Sequence, residues 1–322
     1  RFYQSCDQRQ TDKTDTNEVL GMRVAAIGIG SNSLRMLVAD VDGGRLLRLD
    51  RYREGLRVFA ALDRQGNIVA DMIGKACQSV ETFRRQAVAQ GAEQIHLFAT
   101  SAVRDAANQA AFSQALLEAT GLSLEICSGA LEAKLSFLGA TDGESSGLID
   151  IGGGSTEIVV GRGLEIQRAV SLQMGAVRLY RCHPIQSVEE AHAAVRIARE
   201  LIAPERPAFA AIRPPVWVGV GGTFTTTAAL VQEIPWNQRS LIHGFSLTQE
   251  RVLAAMETLA PMPMEKRLAL PSLQPQRADI VVHGIAILLA CMQELDLPAI
   301  TVSEYGNLEG YLKVKYLYGG QA

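Results

Sequence analysis

The segments Ile27-Gly28-Ile29-Gly30-Ser31-Asn32-Ser33 and Ile149-Asp150-Ile151-Gly152-Gly153-Gly154-Ser155 decide how this chain folds. Each ends one apolar, strand-like run and opens another, 34–41 after the first and 157–160 after the second. Each second run then meets glycine again, at Gly43-Gly44 and at Gly163. The order strand, tight Gly/Ser turn, strand, turn therefore occurs twice. The repeat predicts two halves of one plan, facing each other across a cleft.

Outward from the repeat, strand-like runs cover 24–29, 95–99, 148–151, 216–220 and 299–302. Helical periodicity covers 75–90, 109–120, 188–202, 249–259 and 277–295. Gly91 and Gly121 stand where C-terminal helix caps belong. Strands interleaved with helices predict an α/β fold, and 322 residues suit two domains.

Composition narrows the function classes. Hydrophobic residues at 48% and charged residues at 20% exclude a disordered chain. A net charge of -3 gives no overall basic field. Nucleic acid is not expected as a partner, and a polyanionic ligand has to be held by a local group of arginines. Cys6, Cys77, Cys127, Cys182 and Cys291 are scattered without a CxxC pair, which reads as reduced thiols in a cytoplasmic protein. No apolar run reaches the length of a membrane span, so no membrane partner is expected. Residues 1–21 are polar and lack the apolar centre of a signal peptide. The expectation is a disordered extension ahead of a start at Met22.

A Gly/Ser turn between strands exposes backbone N–H groups and lets a phosphate approach bare backbone. Gly30, Gly152, Gly153 and Gly154 supply such backbone, and Ser31, Asn32, Ser33, Ser155 and Thr156 add side-chain donors. A third turn, Gly219-Val220-Gly221-Gly222-Thr223, precedes a helix-like TFTTTAALV, a favourable place for an anion. One such turn alone reads as an ordinary hairpin. Three, two of them in register, point to a phosphate site. No Lys follows a GxxxxG, and the first two turns lead into strands, so neither a Walker A loop nor a Rossmann fingerprint is present. Asp150 ends a buried-looking strand, where a carboxylate is costly unless paired or metal-bound. Beside phosphates, Mg²⁺ is its natural partner, and a turn-capping Asp is the competing reading. Arg45, Arg48, Arg51, Arg53 and Arg57 form a dense run that reads as a solvated strand face, with an electrostatic guide for a polyanion as the alternative. The five histidines show no metal-binding spacing.

The runs AAIGIGSNSLRMLV (25–38), FATSAVRDAAN (98–108), SGALEAKLSFLGA (128–140), LIDIGGGSTEIVVG (148–161), SLQMGAVRL (171–179), GVGGTFTTTAAL (219–230) and RADIVVHGIAIL (277–288) resemble, in this order, segments of the exopolyphosphatase and guanosine pentaphosphate phosphatase family. The resemblance runs from about Met22 to about Leu312 and is to the short, two-domain type. It implies the acetate and sugar kinase/Hsp70/actin superfold, an actin-like ATPase architecture of two similar α/β domains with the active site between them. The domains expected are 22–127, with a C-terminal helix 306–322 packing back on it, and 128–305. The activity implied is Mg²⁺-dependent release of terminal phosphate from polyphosphate or guanosine pentaphosphate, and a homodimer is common in the family.

The family's water-activating Glu falls on Glu132, while the Glu before it is replaced by Leu131. Its metal-associated Asp falls on Asp150, and Arg104 sits where the family tends to carry Arg, a planar fork that suits phosphate oxygens, while the phosphate reading of Gly221, Gly222 and Thr223 rests on the third turn itself. Arg178 also sits at a motif position, and Arg35 faces either cleft or solvent. Two departures stand out. The family's first turn begins with Asp where this chain has Gly28, and its Ser-x-x-Gly-Leu-Arg-Glu-Gly segment reads Ser303-Glu304-Tyr305-Gly306-Asn307-Leu308-Glu309-Gly310 here. Glycine inside a strand costs roughly 0.5–1 kcal/mol against Ala, so strand stability does not explain Gly28. Either the site gave up a metal-shell carboxylate, or a neighbour approaches closely there. Competing functions are a catalytically weakened polyphosphate- or alarmone-binding protein and a kinase of the same superfold.

Overall fold

The computed structural model describes residues 21–319, apart from Asp142 and the side chain of Arg48. The expected extension 1–21 therefore lies almost wholly outside the described residues, as do the last three positions of the expected C-terminal helix.

Eleven strands lie in two sheets among the described residues. The first contains β1 (Met22–Ile29), β2 (Ser33–Asp42), β3 (Arg45–Gly55), β4 (Gln94–Ala99) and β5 (Leu124–Ile126), in the order β3-β2-β1-β4-β5. The second contains β6 (Ser146–Ile151), β7 (Thr156–Arg162), β8 (Glu165–Leu172), β9 (Val216–Val220), β10 (Ser246–Thr248) and β11 (Ala299–Val302), in the order β10-β11-β9-β6-β7-β8. In each, three antiparallel strands are followed by two parallel ones, and β10 closes the second sheet antiparallel to β11: β1 pairs β2 antiparallel and β4 parallel, as β6 pairs β7 antiparallel and β9 parallel. The repeat read from the two glycine segments is thus a repeat of sheet topology, the actin-like plan.

Period-two alternation sends each strand's side chains to two faces. Ile27, Ile29, Leu34 and Met36 pack outward against the helix Ala70–Ala89, in a core of the first half. Ile149, Ile151, Ile158 and Val160 pack in a core of the second half with the helix Val281–Glu294, buried along its length except at Gln293. The opposite faces share a third core, in which Val24, Ala26 and Phe98 of the first sheet and Leu148, Val159 and Val220 of the second enclose the helices Gly129–Ala140 and Asn307–Tyr316. The last helix is pinned to the first sheet: the Tyr311 ring stacks on Phe98 at 4.6 Å, and its hydroxyl donates to Glu125 at 2.7 Å. Gly121 caps its helix in the left-handed region (φ 70°), as the sequence predicts.

Two local expectations change. The run 277–295 is a short 3-10 turn, Pro275–Arg277, followed by a helix that begins only at Val281. Arg277 is consequently free to point elsewhere than a helix interior. β5, β8 and β10 were not legible as strands, while β3 is the strand expected from the arginine run, though Arg51 and Arg53 line the cavity instead of a solvated face. β3 pairs along most of β2 and carries Arg51 and Arg53 on one face.

Candidate active site

Each half closes its hairpin the same way. Gly30 N–H donates to Ser33 O at 3.0 Å, and Gly152 N–H donates to Ser155 O at 3.0 Å. The third turn has Gly221 in a conformation (φ 91°) that glycine alone adopts readily. All three turns line one cavity of about 430 Å³ between the sheets. Gly30, Ser31, Asn32, Ser33, Glu132, Asp150, Gly152, Gly153, Gly221 and Gly222 are all on its wall.

The remaining candidates stand behind that wall. Thr156 donates to Met174 O at 2.5 Å, and Ser155 and Thr223 are buried. Gly153 and Gly154 have an additional reason to be glycine. A Cβ on Gly153 would lie 2.8 Å from Ser31 Cβ, and one on Gly154 would lie 2.7 Å from Ser101 Oγ and 2.9 Å from Ser31 Oγ. The two turns touch here, so these glycines admit the facing half of the protein, and Gly153 opens backbone to the cavity as well. At Gly222 a Cβ would collide with the Arg277 guanidinium.

Glu132 begins the helix Gly129–Ala140, capped by Ser128 Oγ accepting from Leu131 N–H at 3.1 Å. Glu132 is 6% exposed, and its carboxylate accepts from Arg104 Nη1 at 2.8 Å. Burial pushes its pKa up, against the hydrogen bond and charge of Arg104 and a hydrogen bond from Thr100. Arg104 does not line the cavity; it fixes Glu132 and donates to Cys127 O at 3.0 Å, while its buried Nη2 has no partner among the described residues. Arg178 lies aside from the cavity, donating to Gly154 O and to Asp105, both at 2.8 Å.

Asp150 Oδ2 accepts from Ser136 Oγ at 2.6 Å. Burial raises its pKa, with Ser136 and the charge of Arg35 opposing. Directly across the hairpin from Asp150 is Glu157, a residue sequence reasoning passed over as a strand position. Glu157 is 1% exposed, takes a hydrogen bond from Ser171 Oγ at 2.7 Å, and is raised well above the ordinary value by burial and then by the charges of Glu132 and Asp150. Three carboxylates thus burden one another. No three His, Cys, Asp or Glu side chains among the described residues form a ready metal cage. That donor set still fits Mg²⁺, which retains waters, takes one or two carboxylates and shares the oxygens of a phosphate.

Arg35, Arg53, Arg239 and Arg277 line the same cavity and were underrated or missed. Arg53 is pulled well below the ordinary arginine value by burial and by the charges of Arg277, Arg35 and Arg239. Arg277 is brought down to about 10 by burial and by Arg35. Arg53 donates to Gln274 at 2.6 Å and Arg35 to Asn307 at 2.9 Å, both neutral amides. Glu304, 3.6 Å from Arg239, is the carboxylate nearest this group that makes an ion pair with it. Arg51, by contrast, is paired with Glu309 at 2.8 Å. The signal for Arg53 was the dense arginine run, read with a polyanion guide as the alternative, and Arg277 is an arginine at the head of the mostly apolar run 277–288.

Gly28 does not face open space. A Cβ there would sit 2.9 Å from Phe98 Cζ and 3.3 Å from Leu308 Cδ2. Close approach is therefore the reason for glycine, and the two departures from the family pattern meet at one contact.

The Ppx/GppA phosphatase family model matches residues 37–318. The chain is 33% identical over 310 residues to a Mycobacterium tuberculosis protein named Exopolyphosphatase 2, covering 89% of this chain and 97% of that one. It superposes with a TM-score of 0.83 and 25% identity on an exopolyphosphatase from Cytophaga hutchinsonii, covering 92% of this chain and 98% of that one. With the Ppx/GppA enzyme of Aquifex aeolicus the TM-score is 0.77 at 26% identity, covering 91% and 99%. Topology, site and similarity agree: the chain belongs to the Ppx/GppA phosphatase family, hydrolases of phosphoanhydride bonds.

Proposed function

We propose that this protein is a Mg²⁺-dependent phosphohydrolase that releases terminal phosphate from inorganic polyphosphate or from guanosine pentaphosphate. The observation that carries this reading is the separation of charge within one cavity: five arginines against Glu304 and Glu309 on one part of the wall, and Glu132 and Asp150 on another, backed by Glu157. A ligand that satisfies the arginines carries several negative charges, and phosphates also bring the oxygens a Mg²⁺ ion shares with protein carboxylates.

Asp150 would hold the ion, supported by Glu157, with Ser136 and Ser171 each occupying one oxygen of those carboxylates. Bound there, Mg²⁺ supplies positive charge beside the phosphoryl oxygens. The protein's own part is general-base catalysis. Glu132, fixed by Arg104, takes a proton from a water whose oxygen bonds to the terminal phosphorus, and the bond from phosphorus to the bridging oxygen breaks. The electron pair leaves on that oxygen, and Arg35, Arg53 and Arg277 stabilise the shortened polyanion. A raised carboxyl suits this task, because a base close to the working pH is the more efficient catalyst.

We place the protein in the cytoplasm; among the described residues Cys77, Cys127, Cys182 and Cys291 are free, and no helix is long and apolar enough to cross a membrane. The deciding experiment measures phosphate release by the purified protein from each substrate, with and without Mg²⁺ and without an acceptor. Turnover with neither substrate would sink the hydrolase reading. Binding without turnover would favour the weakened, sensing alternative, and ATP use only with an acceptor would favour a kinase.

A further inference from the structure

The cavity carries, at its open side, two groups that a chain of phosphates does not need. Trp236 lines it and is 41% exposed. The turn that presents this indole is fixed by its own backbone: Trp236 N–H donates to Pro271 O at 3.1 Å, and Gln238 N–H donates to Pro235 O at 3.1 Å. Glu304 lines the same cavity. Its carboxylate lies 3.6 Å from Arg239 Nε, beyond hydrogen-bond length, and accepts no hydrogen bond among the described residues. Arg239 stands three residues after Trp236, so the indole and the carboxylate share one rim.

Glu304 is on a pinned segment. Its N–H donates to His243 Nδ1 at 3.3 Å, Tyr305 N–H donates to Ser303 Oγ at 3.1 Å, and Gly306 N–H donates to Glu309 Oε2 at 2.8 Å. The Tyr305 ring is covered by Arg51 at 4.9 Å and meets the His243 ring edge-on at 4.8 Å. Tyr305 is thus spent on holding the segment, and Trp236 is the aromatic left open.

Neither open group suits bare phosphate. A carboxylate repels it, and an indole offers a flat π-face and a single N–H. Together they suit a nucleobase. The flat face stacks on the ring, and a carboxylate accepts from two N–H groups set side by side on its edge. Guanine presents such a pair, N1–H and the exocyclic N2–H. Adenine has a bare nitrogen at N1, and ionised polyphosphate has no donor to offer.

We propose that Trp236 and Glu304 form a base-reading subsite that makes this cavity select a guanine nucleotide over inorganic polyphosphate. Trp236 stacks on the base, Glu304 accepts from N1–H and N2–H, and the phosphates run inward to Arg35, Arg53 and Arg277. The subsite rests on the hydrolase function proposed above for the place of the phosphates. Glu304 works in both directions, since the charge that reads guanine also disfavours a phosphate chain laid along the same rim.

The test measures kcat and KM on guanosine pentaphosphate and on sodium polyphosphate, and Kd for each by calorimetric titration with a chelator present. It compares the native protein with Trp236→Ala, Trp236→Phe and Glu304→Gln. Trp236→Ala is expected to raise KM and Kd for guanosine pentaphosphate about tenfold and to leave polyphosphate within about twofold of native. Trp236→Phe should recover most of that loss. Glu304→Gln should move the substrates in opposite directions, raising KM for guanosine pentaphosphate about tenfold and lowering it for polyphosphate. A merely structural role moves both substrates the same way, and that result overturns the proposal. So does a Trp236→Ala variant that handles guanosine pentaphosphate as the native protein does, or a native protein that hydrolyses polyphosphate and does not bind guanosine pentaphosphate. Native protein that hydrolyses neither substrate, yet binds guanosine pentaphosphate through Trp236, overturns the hydrolase reading and leaves the subsite standing.

Discussion

In the first hairpin Gly28 and Arg35 face one another across β1 and β2; in the second, Asp150 and Glu157 occupy the corresponding rung of β6 and β7. The turns between them are closed by the same Gly-to-Ser hydrogen bond at the same length, 3.0 Å. One backbone plan therefore carries a cation in one half and two acids in the other. Each half is electrostatically incomplete. Glu132 and Asp150 add to burial in raising the pKa of Glu157, Arg35 adds to burial in lowering those of Arg53 and Arg277, and Arg35 favours ionised Asp150 through space while donating its hydrogen bond to Asn307. The duplication kept the geometry for approaching an anion and divided the charges needed to bind and break it.

The comparison is broken most directly at Glu132. Glu132→Gln is expected to lower phosphate release by about a hundredfold or more while polyphosphate binding, followed by calorimetric titration, stays near native. Loss of binding in step with turnover would mean that the acidic half also holds the substrate. Next in size is Arg35→Met, expected to lower kcat/KM about tenfold, with part of the loss in kcat, since it deletes charge-assisted contacts to the substrate and to the leaving polyanion. The same variant should flatten the dependence of KM on salt. A third test asks whether the halves are interchangeable at the rung itself. Gly28→Asp pushes a charged side chain into Phe98 and Leu308, and is expected to destabilise the fold by about 1–3 kcal/mol in denaturant unfolding. Native stability together with a lowered Mg²⁺ requirement would revive the idea of a simple lost ligand.

The smallest effect expected is on pH. Glu132, Asp150 and Glu157 have folded pKa values raised above their ordinary 4.5, 3.8 and 4.5, so the folded state binds protons more tightly than the unfolded one. Stability without Mg²⁺ should then fall as pH rises through and above the ordinary carboxylate range, by a few degrees in melting temperature, and Mg²⁺ should reverse the fall. A melting temperature that climbs over that range without Mg²⁺ would contradict the acidic half as described.

The hairpins were legible because glycine and period-two alternation are local signals, and the family runs placed Glu132 and Asp150 on the same cavity before any coordinates. What escaped depends on partners far away in the chain. Arg53 and Arg51 looked alike in sequence. One ends against Gln274 among other arginines, and the other is neutralised by Glu309, and neither partner is visible from β3. Arg277 was hidden by an expected helix that begins four residues later than its position. Gly28 left two accounts open because Phe98 and Leu308 reach it from a neighbouring strand and from the last helix. Glu157 gave no sign beyond being a polar residue at the start of a strand.

The contact of Ser31 and Ser101 with Gly153 and Gly154 bears on the direction in which a polymer is consumed. Where the two turns press together, protein closes that side of the cavity. On the proposed function, a chain of linked phosphates has no exit between these turns, so a phosphate seated against them is the end of its chain. Parting the halves, with a side chain at Gly153, is the alteration that would open a passage there.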